Sequence, residues 1–291
     1  MEITNEIKKR ILAAMEANRV NYPSDAKHAA SLGISSAIYS QLKQGQTVKV
    51  LSEANWISMA RRLGVELRPG MEWKAAKTAT FKYVWAQLTA CQSSSLSAIL
   101  CDMPNIGKTF TAREYVKGHR NAVYVDCGQV KTKTQMVKQI AKEFGVSTRG
   151  QYKDVYEDLV YYLKTVDSPL IILDEAGDLK NEAMLELKAL WNATERHCGW
   201  YMMGADGLKA RMERSVEAKM VGYTELLSRF GDRYSKVTPD DGRERQAFLI
   251  EQARVVAEAN APAGSDAGAL ARKTGGALRR VYTEIEKMKA A

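Results

Sequence analysis

Four short apolar runs, SLSAILC, AVYVDC, PLIILDEA and GWYMMGA, recur along the middle of the chain with segments of helical periodicity between them. This alternation constrains the fold more than any other feature. A buried run too short for a helix reads as a strand, and strands separated by helices pair in parallel, because the chain must cross back over the sheet before the next strand begins. Such a sheet is covered by helices on both faces. The flanking helices are read at TFKYVWAQLTAC, TFTAREYVKGH, KTQMVKQIAKEFG, YEDLVYYLKTV and NEAMLELKALWNATER. The expected fold class is α/β.

The junction after the first run narrows this further. SAILCDMPNIGKTFTAREYV fits the pattern G-x-x-x-x-G-K-[ST] at three of its four fixed positions, with Asp102 where the first glycine would stand. A phosphate loop must leave a buried strand and enter a helix, so that backbone N–H groups and the positive helix end meet the phosphates, and residues 97 to 101 and 109 to 117 supply that strand and helix. On this reading Lys108 pairs with the β and γ phosphates and Thr109 gives a hydroxyl to Mg²⁺. The N–H groups of Asn105, Ile106, Gly107, Lys108 and Thr109 cradle phosphate oxygens, with Phe110 following in the helix. Asp102 is expected in left-handed backbone, which Asp tolerates better than most residues, with its charge kept off the phosphates.

The third run ends in Asp174 and Glu175. An apolar strand ending in acid can hold Mg²⁺ through Asp174 and poise an attacking water through Glu175, which separates a hydrolysing site from one that only binds nucleotide. ATP and Mg²⁺ are the expected cofactors.

The first seventy residues read as wholly helical, with Ile3, Ile7, Ile11, Leu12 and Met15 on one helix face. In SDAKHAASLGISSAIYSQLKQG, the small residues Ala26, Ala29 and Ala30 allow close packing, Gly33 a tight turn, and Ser35 caps a second helix through Ile38, Tyr39 and Leu42. This is a helix-turn-helix pattern, and it resembles the small repressor-like DNA-binding domains of phages. Ser36, Tyr39, Ser40, Lys43 and Gln44 are the side chains its second helix offers to a major groove. A change of character at LRPGMEWKAAKT, where Pro69 and Gly70 interrupt the helical pattern, marks a domain boundary.

A formal charge of +9 favours a polyanionic partner. No run approaches the eighteen or so apolar residues needed to span a bilayer, and the amino terminus lacks a signal-peptide pattern, so the expected location is the cytoplasm of a bacterium or of a phage-infected host, with no membrane partner. Cys91, Cys101, Cys127 and Cys198 have no C-x-x-C spacing and read as buried free thiols. His28, His119 and His197 carry no evident chemistry.

Together the phosphate loop, the acid-ended strand, the arginines of MVGYTELLSRFGDRY and the helical tail with KTGGALRRVYTEIEKM resemble the AAA+ ATPase family. The resemblance implies an arginine finger that completes a neighbouring subunit's site, for which Arg229 fits best, with Arg233 close by. It also implies a lid arginine, matched by Arg279 three residues after Gly276, and a polar sensor after the fourth strand, where Asp206 stands. The implied division is 1–70 helix-turn-helix domain, 71–240 AAA+ core and 241–291 helical lid. This domain order, with NIGKT, IILDEA, GADGL and SRFGDR, is similar to the transposition B proteins of Mu-like phages and related target-selection ATPases of transposons. That family implies an ATPase that polymerises on double-stranded DNA as a helical oligomer and recruits a transposase. Within it, Lys131, Thr132, Lys133 and Lys138 of CGQVKTKTQMVKQ are expected to meet phosphates along a central channel. A helicase loader of replication and an ATP-gated transcriptional regulator are the alternatives.

Overall fold

The computed structural model describes residues 3–65, 67 and 73–290. Its amino-terminal part is helical: α1 (Asn5–Asn18), α2 (Asp25–Leu32), α3 (Ser36–Lys43) and α4 (Glu53–Leu63). Each begins at a hydroxyl. Thr4, Ser24, Ser35 and Ser52 each accept a hydrogen bond from the backbone N–H three residues on, which satisfies a donor the helix cannot. Gly33 ends α2 in left-handed backbone at φ 72°, and α3 starts directly after Ser35, so the two helices are joined by a sharp turn. Ile7, Ile11, Met15, Leu32, Leu42 and Trp56 meet in a core separate from that of the sheet. The boundary expected at Pro69 and Gly70 lies outside the described residues.

From Thr78 the chain alternates as its apolar runs require: α5 (Ala79–Ser94), β1 (Ser97–Cys101), α6 (Lys108–Gly118), β2 (Ala122–Asp126), α7 (Lys133–Glu143), α8 (Tyr152–Thr165), β3 (Leu170–Asp174), α9 (Asn181–Ala193), β4 (Gly199–Gly204), α10 (Asp206–Glu217) and α11 (Tyr223–Arg229). After them come α12 (Gly242–Asn260), α13 (Ala267–Lys273) and α14 (Leu278–Ala290). All four strands are parallel, in the order β1-β4-β3-β2. Ser235 adds a bridge on the outer side of β1, its N–H donating to the Ile99 carbonyl at 2.7 Å.

Alternate strand residues serve opposite faces, as the pleat demands. Ile171, Leu173, Trp200 and Met202 pack with α7, α8 and α9, while Leu170, Ile172, Tyr201 and Met203 pack with α5 and α6. Each large apolar side chain so buried contributes about 2 kcal/mol. The result is a three-layer α/β/α core with every strand's carboxyl end at one edge, where sheets of this kind bind ligands.

The helical unit docks on this core. The Asn21 amide donates to the Lys117 carbonyl at 3.1 Å and the Tyr22 hydroxyl to the Glu143 carbonyl at 3.2 Å. Gly145 permits the contact, since a Cβ there would lie 2.2 Å from the Lys27 carbonyl oxygen. At the other end, α12, α13 and α14 form a small bundle tied to the segment before α5: Asn260 exchanges hydrogen bonds with the backbone of Lys74, and Trp73 packs edge-on against Tyr282. No described helix is long and apolar enough to cross a membrane. All four cysteines are buried and free.

Candidate functional site

The carboxyl ends of β1 and β3 bring the two sequence signatures together. β1 runs into the 102–107 loop and α6 leaves it, with Asn105 (φ 65°) and Gly107 (φ 98°) in left-handed backbone and no side chain capping the helix. Free amide donors and the positive end of the helix therefore face the same space, as an anion site needs. Lys108 is 8% exposed, and its ammonium donates to the carbonyls of Asp102 (2.5 Å) and Met103 (2.8 Å). Burial lowers its pKa, while the carboxylates of Asp102, Asp174 and Glu175 act in the opposite sense.

Asp174, 2% exposed, is the centre of the cluster. Its Oδ2 accepts from the Thr109 hydroxyl at 2.6 Å and the Tyr124 hydroxyl at 2.8 Å, and its Oδ1 from the Glu175 N–H at 2.9 Å. A hydroxyl and a carboxylate in contact beside an anion-binding loop are the hard oxygen donors that suit Mg²⁺, an ion that keeps waters and phosphates for its other positions. Among the described residues no group of three or more His, Cys, Asp or Glu could hold a metal on its own. Glu175 follows at φ 50°, a strained conformation for a residue with a side chain, and it stands exposed. Loss of solvent on its inner side and the adjacent Asp174 charge raise its pKa.

Two residues that hold the site escaped the sequence reading, and a third is held otherwise than expected. Tyr124 on β2 orients Asp174, with the Arg113 guanidinium 5.0 Å above its ring. Arg211 on α10 clamps the turn after Glu175, donating to the carbonyls of Gly177 (2.6 Å) and Leu179. Asp102 is not in left-handed backbone, contrary to expectation. It is fully buried, and its carboxylate accepts from the Met103 N–H and from the backbone of Val237 and Thr238, while the left-handed position falls to Asn105. Only Tyr124 had a signal available, its place one residue short of Val125 and Asp126 on a strand next to β3.

Other expected site residues lie apart from this cluster. Ile106 is buried in the loop and Phe110 half-buried in α6. Asp206 is exposed in the first turn of α10, two residues after Gly204, whose carbonyl accepts from the Asp102 N–H. Arg279 is exposed in the first turn of α14, next to Leu278, whose side chain approaches Gly107, so the α12–α14 bundle reaches the phosphate loop. Arg229 lies at the opposite edge: its guanidinium stacks on Trp191 at 5.1 Å and bonds Asn192, and Trp191 in turn donates to Ser97 at the start of β1. Arg233 is exposed in the segment that follows.

Of the channel candidates, Thr132 caps α7 with a full capping box, Lys131 lies 3.6 Å from Asp178, Lys133 sits over Tyr152, and Lys138 borders a shallow cleft of about 290 Å³ with Thr134 and Lys142. On α3, Ser36 and Lys43 face outward, Lys43 bonding Asp25 at 2.8 Å. Tyr39 does not: it is 2% exposed and its hydroxyl meets His28 Nδ1 at 2.7 Å, so it belongs to the core and offers no groove contact.

Comparison with known proteins bears on this geometry. The family model described as AAA domain matches residues 91–212, the span from the end of α5 into α10 that contains the whole cluster. These residues are similar to an AAA domain. Longer stretches of the chain are similar to parts of known proteins. It is 27% identical over 179 residues to the Mu-like prophage FluMu DNA transposition protein B of Haemophilus influenzae, covering 61% of this chain and 61% of that protein. It is 26% identical over 164 residues to the ATP-dependent target DNA activator B of Escherichia phage Mu, covering 54% of this chain and 49% of that protein. The matched stretch thus spans about half to three fifths of those relatives. Among solved structures, the Orc1 protein of Aeropyrum pernix in complex with DNA aligns with TM-score 0.50 at 19% identity, covering 72% of this chain and 58% of that one. Cdc6p of Pyrobaculum aerophilum aligns with TM-score 0.54 at 15% identity, over 77% and 64% respectively. These likenesses show a fold shared with both.

Proposed function

We propose that the chain binds ATP with Mg²⁺, hydrolyses it, assembles on double-stranded DNA in the ATP state and directs a transposase to target DNA. The observation that carries this reading is the Lys108–Thr109–Asp174–Glu175 cluster at one edge of the AAA domain, in a chain similar to transposition protein B. Lys108 would trade its two backbone carbonyls for phosphate oxygens. Thr109 and Asp174 would hold Mg²⁺. Glu175, exposed and raised in pKa, would polarise water at the strand's end.

Two further features support assembly and DNA binding. Arg229 sits near the strand starts while the phosphate loop sits at the strand ends, a strand length of roughly 15 Å away, so within one chain it cannot reach the nucleotide. A finger role for Arg229 therefore requires a second subunit, and Arg233 is the alternative finger. Lys131 and Lys133, with Thr132, stand at the start of α7 and Lys138 midway along it, and they would meet DNA phosphates with little sequence preference, with Ser36 and Lys43 of α3 as auxiliary contacts. Arg279 of the lid and Asp206 after β4 would sense the nucleotide.

Electron microscopy of the protein with ATP and random-sequence duplex tests the reading. Continuous filaments with the wild type, none with Lys108→Ala, and filaments that persist with Glu175→Gln while hydrolysis falls about 100-fold are expected. Hydrolysis by Glu175→Gln at the wild-type rate would remove Glu175 from its role, and discrete particles that ignore ATP would sink the assembly.

A further inference from the structure

The first fixed position of the phosphate loop is occupied by a side chain most of whose bonds leave the loop. Asp102 is fully buried, and both its oxygens are bonded: Oδ2 accepts from the N–H groups of Val237 (2.7 Å) and Thr238 (2.9 Å), and Oδ1 from the Thr238 hydroxyl (2.5 Å) and the Met103 N–H (2.8 Å). A buried carboxylate is tolerated only when its lone pairs are satisfied, and here three of the four donors come from one distant segment. The carbonyl of the same residue accepts the Lys108 ammonium. Asp102 is thus a joint, with the loop's lysine on its backbone side and residues 237–238 on its carboxylate side.

That distant segment is a strap with a defined course. It leaves α11 after Arg229, is anchored by buried Phe230, lies along β1 where Ser235 bonds Ile99 and Cys101, passes the Asp102 carboxylate, and ends at Asp241, which caps the first helix of the lid. A glycine at position 102 would remove the strap's bonds to the loop and leave it held by the β1 bridge, the Gln87–Ser235 hydrogen bond and the packing of Tyr234 and Val237. Two of the three Lys108 ammonium donors are held by the carbonyls of Asp102 and Met103, so a ligand that recruits the lysine competes for the bond to the residue that holds the strap.

We propose that Asp102 is a positioning residue that couples nucleotide occupancy of the phosphate loop to the 230–241 strap, and through it to the arginines at its start and the lid at its end. This rests on the nucleotide reading above. The coupling is reciprocal: a strap held by a neighbouring subunit would favour the loop conformation that binds nucleotide.

Hydrogen exchange of segment 233–241, with and without a non-hydrolysable ATP analogue and Mg²⁺, tests it in the wild type, Asp102→Gly and Thr238→Val. In the wild type the analogue should slow exchange of the Val237 and Thr238 amides by about tenfold or more. In Asp102→Gly, which restores the pattern's glycine, analogue affinity should stay within about fivefold while strap exchange is fast and no longer responds to nucleotide; turnover at saturating ATP should fall with little change in KM. Thr238→Val, which removes one donor, should fall between. A strap that responds to nucleotide in Asp102→Gly as it does in the wild type overturns the coupling. So does a loss of analogue binding in Asp102→Gly accompanied by wild-type behaviour of Thr238→Val, because the aspartate would then serve only to build the loop. Failure of the wild type to bind the analogue overturns the nucleotide reading and this proposal with it.

Discussion

The phosphate-loop cluster and the α2–α3 pair of the helical unit hold their motif residues in opposite ways. In the cluster, Lys108, Thr109, Asp174 and the Glu175 amide bond to one another or to adjacent backbone, buried at the end of a sheet. In the helix pair, the side chains expected to act together are split between two faces, with Ser36 and Lys43 outward and Tyr39 sealed against His28. The difference teaches that charges gathered in a low-dielectric cleft must satisfy each other and so mark themselves as a site, whereas a helix face takes its role from whatever packs on the other side.

The largest effect that could break this comparison is at Lys108. Lys108→Ala should weaken ATP binding by at least about 100-fold, close to 3 kcal/mol, because a charge-assisted phosphate contact in a buried site is lost. Calorimetric titration reads this directly, and affinity retained within tenfold would show that the cluster is not built around the lysine.

Tyr39 comes next. Its replacement by Ala should destabilise the helical unit by about 3 kcal/mol through the cavity left among α1, α2 and α4, while Lys43→Ala, which removes only an exposed ion pair, should cost under about 0.5 kcal/mol. Chemical denaturation of the two variants followed by circular dichroism separates them. Equal costs would return Tyr39 to the surface.

The same helix pair carries a pH signature of its own. Burial, with Arg19 adding to it and Asp25 opposing, lowers the His28 pKa from 6.5 to about 4, so the ring is neutral in the folded unit. The unfolded chain binds a proton below 6.5 that the folded one refuses until about 4, and stability is therefore lost as pH falls through that window, by about 2–3 kcal/mol. Amide exchange at residues 25–43 should speed up between pH 7 and pH 4.5 beyond its intrinsic change, and His28→Gln should flatten the response. A flat wild-type response would mean that His28 is not buried neutral.

The smallest effect sharpens the cluster itself. Tyr124→Phe removes one of the two donors on Asp174 Oδ2 and should weaken Mg²⁺-dependent nucleotide binding by about fivefold, roughly 1 kcal/mol, with Mg²⁺-independent binding unchanged. A loss that ignores Mg²⁺ would show that Tyr124 supports the fold and not the metal ligand.

The core of the fold was legible because its signals are local. Each strand is a run too short and too apolar to be anything else, and SAILCDMPNIGKTF carries strand, loop and helix in one stretch. The four strands fall where the runs predict, and the cysteines are buried thiols as their apolar settings suggest. Less was legible at Asp102. Its residue type allowed left-handed backbone, but its partners stand more than a hundred positions away, and no local pattern announces them. Arg211 escaped for the same reason, since the carbonyls it clamps follow a different strand.

By itself the sequence determined which segments become strands and helices, which loop can receive phosphate and which strand ends in acid, because hydrophobic period and residue chemistry act over a few neighbouring positions. Tertiary structure alone decided which face of α3 is buried, that Asp102 clasps the strap, that Tyr124 orients Asp174, and that Arg229 lies at the opposite edge of the sheet from Lys108. Those outcomes depend on hydrogen bonds and packing between residues far apart along the chain, and a buried polar group finds its partner only when the whole core has brought the two together.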